Sequence, residues 1–434
     1  MTDSVNLRAL ALDLLIEINE KGQYSHLVLR DVLDKYQYLS KQERAFLTRL
    51  VEGCLEHQME LDYIIDSVSK TKVKKMKPLI RNLLRMSVYQ LKYMDSVPDS
   101  AVCNEAVKLA KKRGFSQLSG FVNGVLRSIA REINSFPYPS KEKEPERFYS
   151  IFYSMPEWMV KQWLEDYGTE KTEAILKGFS GEQPLTIRTN LHRITPEELE
   201  ESLTKEGFTV NRIQDIPYAF ELSGFDYLGG MQAFLDGKFY VQDVSSMMVA
   251  QAAAPKKGDY VIDVCAAPGG KSTHLAEILD GTGMVEARDL TEYKIGLIEE
   301  NIARHGLSNM KAVRWDATVF DEASVEQADV LICDLPCSGL GVLGKKADIR
   351  YKMSKEQEEE LAALQRQILS TVHTYVKHGG TLVYSTCTID KKENEENVLW
   401  FLKEFPEFTL MEQRQMIPGE VGADGFFIAK LKRY

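Results

Sequence analysis

Two cysteines, a carboxylate and a lysine carry the reactive chemistry of this sequence. Cys337 lies in Asp334-Leu335-Pro336-Cys337-Ser338-Gly339, and Cys387 closes Ser385-Thr386-Cys387. Each motif follows an apolar run of strand character, 328–333 and 381–386, which places both thiols at the carboxyl edge of a sheet. A thiolate is a soft nucleophile. Carbon 5 of cytosine does not attack a methyl sulfonium unaided. Thiolate addition at C6 makes the ring enamine-like; C5 then accepts a methyl, its proton leaves and the thiolate is expelled. That route needs one nucleophilic cysteine, a carboxylate for the polar edge of the base and a second acid–base group. Asp334, Cys337 and Cys387 supply those types. The residue types alone do not order the two thiols. Cys54, Cys103 and Cys333 read as inert core thiols.

A second set of residues suits a nucleotide-type ligand. Tyr260-Val261-Ile262-Asp263-Val264 reads as a strand, Cys265-Ala266-Ala267-Pro268-Gly269-Gly270-Lys271 as a turn, and 272–279 as a helix. Small residues in such a turn let backbone approach a ligand, and free N–H groups at the helix start favour anionic groups. A triphosphate-binding loop is excluded, because Cys265 stands where that motif needs glycine. The next strand ends at Asp289, 19 residues after Gly270, where an open α/β sheet offers a carboxylate to a ribose diol. Asp316, after the strand 311–315, suits the adenine amine. Five successive strands thus each deliver a polar or reactive group, which helix capping alone does not explain. Cys333 and Cys337 are spaced C-x3-C with no second pair, and the seven histidines show no ligand spacing, so no metal is expected.

These elements occupy the last part of a 434-residue chain of ordinary globular composition, 44% hydrophobic and 27% charged, which excludes a mainly disordered or collagenous protein. Residues 5–135 read as helical throughout, with 42–68 as one segment, and 1–138 is taken as a helical bundle domain. Phe136–Glu146, with three prolines and mixed charge, is a linker by composition. Residues 147–230 hold a strand–helix–strand pattern, with a capping box at Thr195-Pro196-Glu197-Glu198, and read as a small α/β domain of the ferredoxin-like or RNA-recognition kind. From 231 to 434, short buried strands alternate with amphipathic helices, the pattern of a mostly parallel sheet. Net charge is -10, which argues against a protein that coats nucleic acid. The charge is uneven. Residues 1–135 hold 21 Lys/Arg against 16 Asp/Glu, with a basic segment at Lys70–Lys77 and a second at Lys111-Lys112-Arg113. That fits local phosphate contact, although the second spot also suits a helix C-terminus. No window is apolar enough to span a membrane, and Met1-Thr2-Asp3-Ser4 lacks the basic start of a secretion signal. Six cysteines without such a signal point to free thiols and the cytoplasm.

The loop 263–271 together with 334–339 and 385–387 resembles the RNA cytosine-5 methyltransferases of the NOL1/NOP2/Sun family. Gln242-Asp243-Val244-Ser245-Ser246 resembles that family's entry motif, and 1–135 resembles a NusB-type RNA-binding domain, an architecture similar to bacterial 16S rRNA methyltransferases. The resemblance implies a Rossmann-like domain with a seven-stranded sheet and S-adenosylmethionine as cofactor, held by Cys265, Ala266, Ala267, Pro268, Gly269, Gly270 and Lys271. Asp289 would take the ribose, Asp316 the adenine side, and Asp334 the cofactor edge and the target cytosine. It also orders the thiols, with Cys387 as nucleophile and Cys337 assisting elimination, while Lys271 positions or polarises the base. The implied substrate is 16S rRNA, at the cytosine numbered 967 there, and the implied state is a monomer. Lys345, Lys346 and Arg350 are expected RNA contacts. Leu335 replaces the family's usual Ala or Pro, and Thr388 its usual Ser; neither removes a reactive group. The same catalytic set serves tRNA enzymes, and a vestigial domain on an RNA-assembly factor is a further alternative, against which both thiols argue. An exocyclic-amine methyltransferase is disfavoured, since no aromatic residue follows Asp334-Leu335-Pro336.

Overall fold

In the N-terminal part, leucine and isoleucine recur every three or four residues, and each such stripe becomes a helix with one buried face. The structure, a computed structural model, describes residues 5–181 and 184–434; Met1-Thr2-Asp3-Ser4, read above for the lack of a secretion signal, lies outside them. The contacts divide the chain into two compact units, Met1–Ser180 with Leu343–Lys352, and Gly181–Val342 with Met353–Tyr434.

The first unit is helical. Helix Pro78–Tyr93 is buried nearly all round, with Ile80, Leu83, Leu84, Met86, Val88 and Tyr89 in the core and Asn82, Arg85, Ser87 and Gln90 buried beside them, and it forms the centre on which Leu7–Lys21, Lys41–Glu56, Gln58–Val68, Asp99–Lys112 and Ser119–Glu132 pack. Pro78 occupies the first turn, where its missing N–H costs nothing. The single helix expected over 42–68 is two helices, Lys41–Glu56 and Gln58–Val68, broken at His57 (φ -106°, ψ 13°). The break lets each half turn its own apolar stripe, Leu47, Leu50 and Val51 or Leu61, Ile64 and Ile65, into the core. Lys72, Lys74, Lys75 and Lys77 are exposed, while Val73 and Met76 between them are buried and pin the segment. Arg113 of the other basic spot pairs with Asp13 at 2.6 Å.

Segment 343–352 belongs to this helical unit although it follows the Cys337 motif in sequence. Asp348 is 1% exposed and accepts from Ser25 N (3.1 Å) and Ser25 Oγ (2.5 Å), at the start of helix Ser25–Lys35. A carboxylate there satisfies free N–H groups and suits the helix dipole. Arg350, expected to touch RNA, is buried. It donates to the carbonyls of Tyr153, Ser154 and Leu343, so that expectation is corrected: its charge is spent on backbone oxygens that helix ends leave free.

The second unit holds two sheets. β1 (Leu185–Thr189), β2 (Thr209–Arg212), β3 (Ala219–Ser223) and β4 (Phe239–Val241) form an antiparallel sheet in the order β2-β3-β1-β4. Helix Pro196–Lys205, opened by the expected capping box at Thr195, packs Leu199 and Leu203 into a core with Ile187, Phe220 and Phe239. The α/β layer thus runs from 185 to 241. Residues 147–180, placed by the sequence reading in the α/β domain, lie in helix Pro145–Phe152 and in the helical stretch Glu157–Ser180, interrupted at Gly168, which group with the first unit.

The larger sheet comprises β5 (Tyr260–Asp263), β6 (Met284–Asp289), β7 (Met310–Arg314), β8 (Ala328–Asp334), β9 (Val376–Thr386), β10 (Phe408–Met416) and β11 (Phe426–Arg433). Its order is β10-β11-β9-β8-β5-β6-β7. The strands β5 to β9 run parallel, and β11 is antiparallel to both β9 and β10. Chain order reverses between β5 and β8, so a crevice opens there at the carboxyl ends, which is where ligands bind in open α/β sheets. No helix among the described residues is long and apolar enough to cross a membrane.

Candidate active site

The turn after β5 is held by the end of β6. Ala266 N donates to the Arg288 carbonyl (2.8 Å), and Ala267 N donates to Asp289 Oδ2 (2.9 Å). Asp289, 4% exposed at the end of β6, also accepts from Leu290 N (2.7 Å) and Lys294 Nζ (2.9 Å) at Oδ1. Gly269 begins helix Gly270–Ile278 at φ 104°, a conformation open to glycine. A Cβ on Gly270 would stand 3.2 Å from the Tyr240 ring, so a larger residue there would press that ring back by a few tenths of an ångström.

Beside this turn lies a cavity of ≈ 180 Å³. Cys265, Ala266, Ala267, Pro268, Gly270 and Lys271 form one wall with Asp263 and Asp334; Tyr240, Val241, Gln242, Asp243 and Ser246 form the other. Lys271 Nζ donates to Asp334 Oδ2 at 2.6 Å, and Ser385 Oγ donates to Oδ1 at 2.8 Å. Burial alone would lower the Lys271 pKa, but the charges of Asp334, Asp263 and Cys387 hold it above its ordinary value, so it is a cation. Burial pushes the Asp263 carboxyl up to about 7, with Asp334's charge adding and Ser272 Oγ (2.5 Å) opposing. Burial likewise raises the Cys265 thiol, so that cysteine lines the cavity as a neutral wall.

The two motif thiols meet. Cys337 Sγ and Cys387 Sγ are 3.2 Å apart, because their loops leave adjacent parallel strands, β8 and β9, at the same edge. The Cys337 thiol is held well above its ordinary pKa by its hydrogen bond to Cys387 and by burial. Asp316 is not drawn into this constellation by any hydrogen bond. Its Oδ1 accepts from Thr318 N (2.9 Å) and Oγ1 (2.7 Å), which lowers its pKa and closes a local turn. Asp289 and Asp316 stand at the ends of the neighbouring strands β6 and β7, outside the cavity wall. Among the described residues no group of three His, Cys, Asp or Glu is arranged to hold a metal.

Arg188 was missed by sequence reasoning. It sits in β1 between Ile187 and Thr189 and looks like the polar face of an edge strand; the pairing with both β3 and β4 buries it to 1%. It donates to Gln242 Oε1 (2.9 Å), the Gly270 carbonyl (3.1 Å), Thr273 Oγ1 (3.1 Å) and Glu277 Oε1 (3.0 Å). The small sheet therefore braces the turn that lines the cavity. Arg188→Met strands the buried Glu277 carboxylate. Urea unfolding is expected to show a loss of about 3–5 kcal/mol, the cost of breaking a buried ion pair from one side, and a loss below 1 kcal/mol would contradict this account.

A Rossmann-like seven-stranded sheet with a glycine-rich turn at its reversal point defines a methyltransferase class of fold. Three family models match the chain: "16S rRNA methyltransferase RsmB/F" over 250–432, "NusB family" over 5–131, and the RsmF/B-like ferredoxin-like domain over 155–225. A probable ribosomal RNA small subunit methyltransferase B of Bacillus subtilis is 38% identical, with 99% of each chain covered. The ribosomal RNA small subunit methyltransferase B of Proteus mirabilis is 30% identical over 100% of both chains. Among solved structures, PH0851 matches with TM-score 0.84 at 26% identity over 99% of each chain. NSun6 from Pyrococcus horikoshii, solved with SFG, an S-adenosylmethionine analogue, matches with TM-score 0.59 at 25% identity, covering 64% of this chain and 98% of its own. The chain belongs to the RsmB/F family of 16S rRNA methyltransferases.

S-adenosylmethionine is the methyl donor of this family, and the residues present fit it. The glycine cradle at 269–270, the free N–H groups of the helix start and the adjoining cavity leave room for backbone to approach a nucleoside.

Proposed function

We propose that this protein methylates C5 of a cytosine in 16S rRNA through a transient bond between Cys387 Sγ and cytosine C6, at the position numbered 967. The observation that carries this reading is the pair of thiols 3.2 Å apart, beside the Lys271–Asp334 ion pair. When bound, S-adenosylmethionine supplies the methyl group. Cys387 is the sulfur that adds to C6. One feature supports this order beside the family resemblance: the Lys271 ammonium interacts favourably with a Cys387 thiolate. Lys271 and Asp334 offer a donor and an acceptor for the polar edge of the base. Asp289 and Asp316 are assigned to the ribose and adenine, as the family resemblance implies. After methylation the C5 proton passes to solvent water, its electron pair re-forms the C5–C6 double bond, and the Cys387–C6 bond breaks with the sulfur leaving as thiolate; Cys337, the neighbouring thiol, assists that departure by donating a hydrogen bond to the leaving sulfur. The target base must leave its stack to be reached from both faces.

The helical residues 1–138 are assigned to gripping rRNA backbone. The exposed lysines 72, 74, 75 and 77 are the cationic spot suited to it. Lys74→Glu with Lys75→Glu is expected to weaken RNA binding at low salt by about tenfold or more and to flatten the salt dependence by about one to two phosphate contacts. An unchanged salt slope in a filter-binding titration would remove this patch from the RNA path. The activity itself is tested by bisulfite sequencing of total RNA from cells with and without the protein. A mark lost from 16S rRNA is expected; one lost from tRNA, or no loss, would sink the assignment.

A further inference from the structure

The segment Lys391-Lys392-Glu393-Asn394-Glu395-Glu396 reads as a solvated charge run, yet Glu393 and Asn394 are completely buried. Glu393 Oε2 accepts from Ser338 N (3.0 Å) and Gln365 Nε2 (2.8 Å), and Oε1 accepts from Ser338 Oγ. Gln365 Nε2 also donates to the Pro336 carbonyl at 2.9 Å. Pro336 and Ser338 are the two residues flanking Cys337. On the other loop, Asn394 Oδ1 accepts from Thr386 Oγ1 (2.5 Å), and Asn394 Nδ2 donates to the Thr388 carbonyl (3.1 Å). Thr386 and Thr388 flank Cys387. The two arms join where Ser338 Oγ and Thr388 Oγ1 lie 2.8 Å apart.

We infer that Glu393 and Asn394 form a positioning clamp that holds both neighbours of each reactive thiol and so sets the 3.2 Å separation of Cys337 and Cys387. The inference rests on the reading of those two thiols as the reacting pair. Neither residue lines the cavity. Their effect passes through Ser338, Thr386 and Thr388, so they are positioning residues. Side chains that act on reacting atoms must be held to within a fraction of an ångström, and misplacement by about 1 Å costs up to roughly a hundredfold in rate. Burial pushes the Glu393 carboxyl up to about 7, with Asp390's charge adding and the Ser338 and Gln365 hydrogen bonds opposing. A neutral amide of the same shape can therefore take its place, with the amide oxygen accepting from Ser338 N and Gln365 and the amide nitrogen donating to Ser338 Oγ.

The test compares Glu393→Gln with Glu393→Ala in the full-length protein, reading kcat, RNA KM and cofactor Kd. Glu393→Gln is expected to keep kcat within about threefold, whereas Glu393→Ala loses roughly a hundredfold in kcat, with RNA KM and cofactor Kd unchanged. Wild-type kcat in Glu393→Ala would overturn the clamp, as would a Gln variant as slow as Ala, since charge rather than geometry would then matter. Should Glu393→Ala not fold, Ser338→Ala decides. It removes the hydroxyl joining the arms, and an unchanged kcat in it also overturns the clamp. Cys387→Ala runs alongside. If that variant still methylates, the thiol reading fails; if it is dead while the Glu393 variants are unaffected, only the clamp fails.

Discussion

Cys387→Ala is expected to abolish methyl transfer, by at least about a thousandfold, with cofactor affinity staying within twofold of wild type. The size of the effect follows from the chemistry. Without a sulfur at C6 the C5 carbon keeps its aromatic, weakly nucleophilic character, and burial still disfavours a thiolate at Cys337 once its Cys387 partner is gone. The selectivity follows from geometry. Cys387 packs against the core cluster that includes Ala266 and Leu275 but is not part of the cavity wall, so its loss leaves that wall intact. Transfer of a radiolabelled methyl to RNA measures the first quantity and isothermal titration with S-adenosylmethionine the second. Activity within tenfold of wild type would remove Cys387 as the nucleophile.

Cys337→Ala has the opposite signature. Under the proposed roles Cys387 still adds to the base, but without the neighbour 3.2 Å away that assists its departure. Covalent protein–RNA adduct is therefore expected to accumulate to most of the enzyme present, seen as a slower band on a denaturing gel and absent from wild type. Turnover falls by at least about a hundredfold, in line with the loss of general acid–base assistance. The double variant Cys337→Ala with Cys387→Ala should show no adduct. Adduct in the double variant, or none in Cys337→Ala, would exchange or dissolve the two assigned roles.

The sulfur pair and the glycine turn were legible because each sits directly after a strand in a local motif, and parallel strands bring such motifs to one edge whatever connects them; the Lys271–Asp334 contact was not. The capping box at Thr195 and the proline start at Pro78 were legible for a similar reason: their partners lie within one turn of helix. Arg350 was misread because a cation in a basic stretch after a catalytic motif looks solvated. Three carbonyls, two of them nearly 200 residues away, bury it instead.

By itself, the sequence determined which residue types stand at the ends of which strands, and hence the chemistry open to the protein. Hydrophobic periodicity and turn composition are local properties, readable over a few residues. Only the tertiary structure decided the spacing of the reactive atoms and the burial of Arg188, Glu393 and Asn394 beneath them. Polar side chains of this kind carry no local mark of burial. Whether a charge faces water or a ring of hydrogen-bond partners depends on segments far away in the chain, which meet once the sheets and helices have packed.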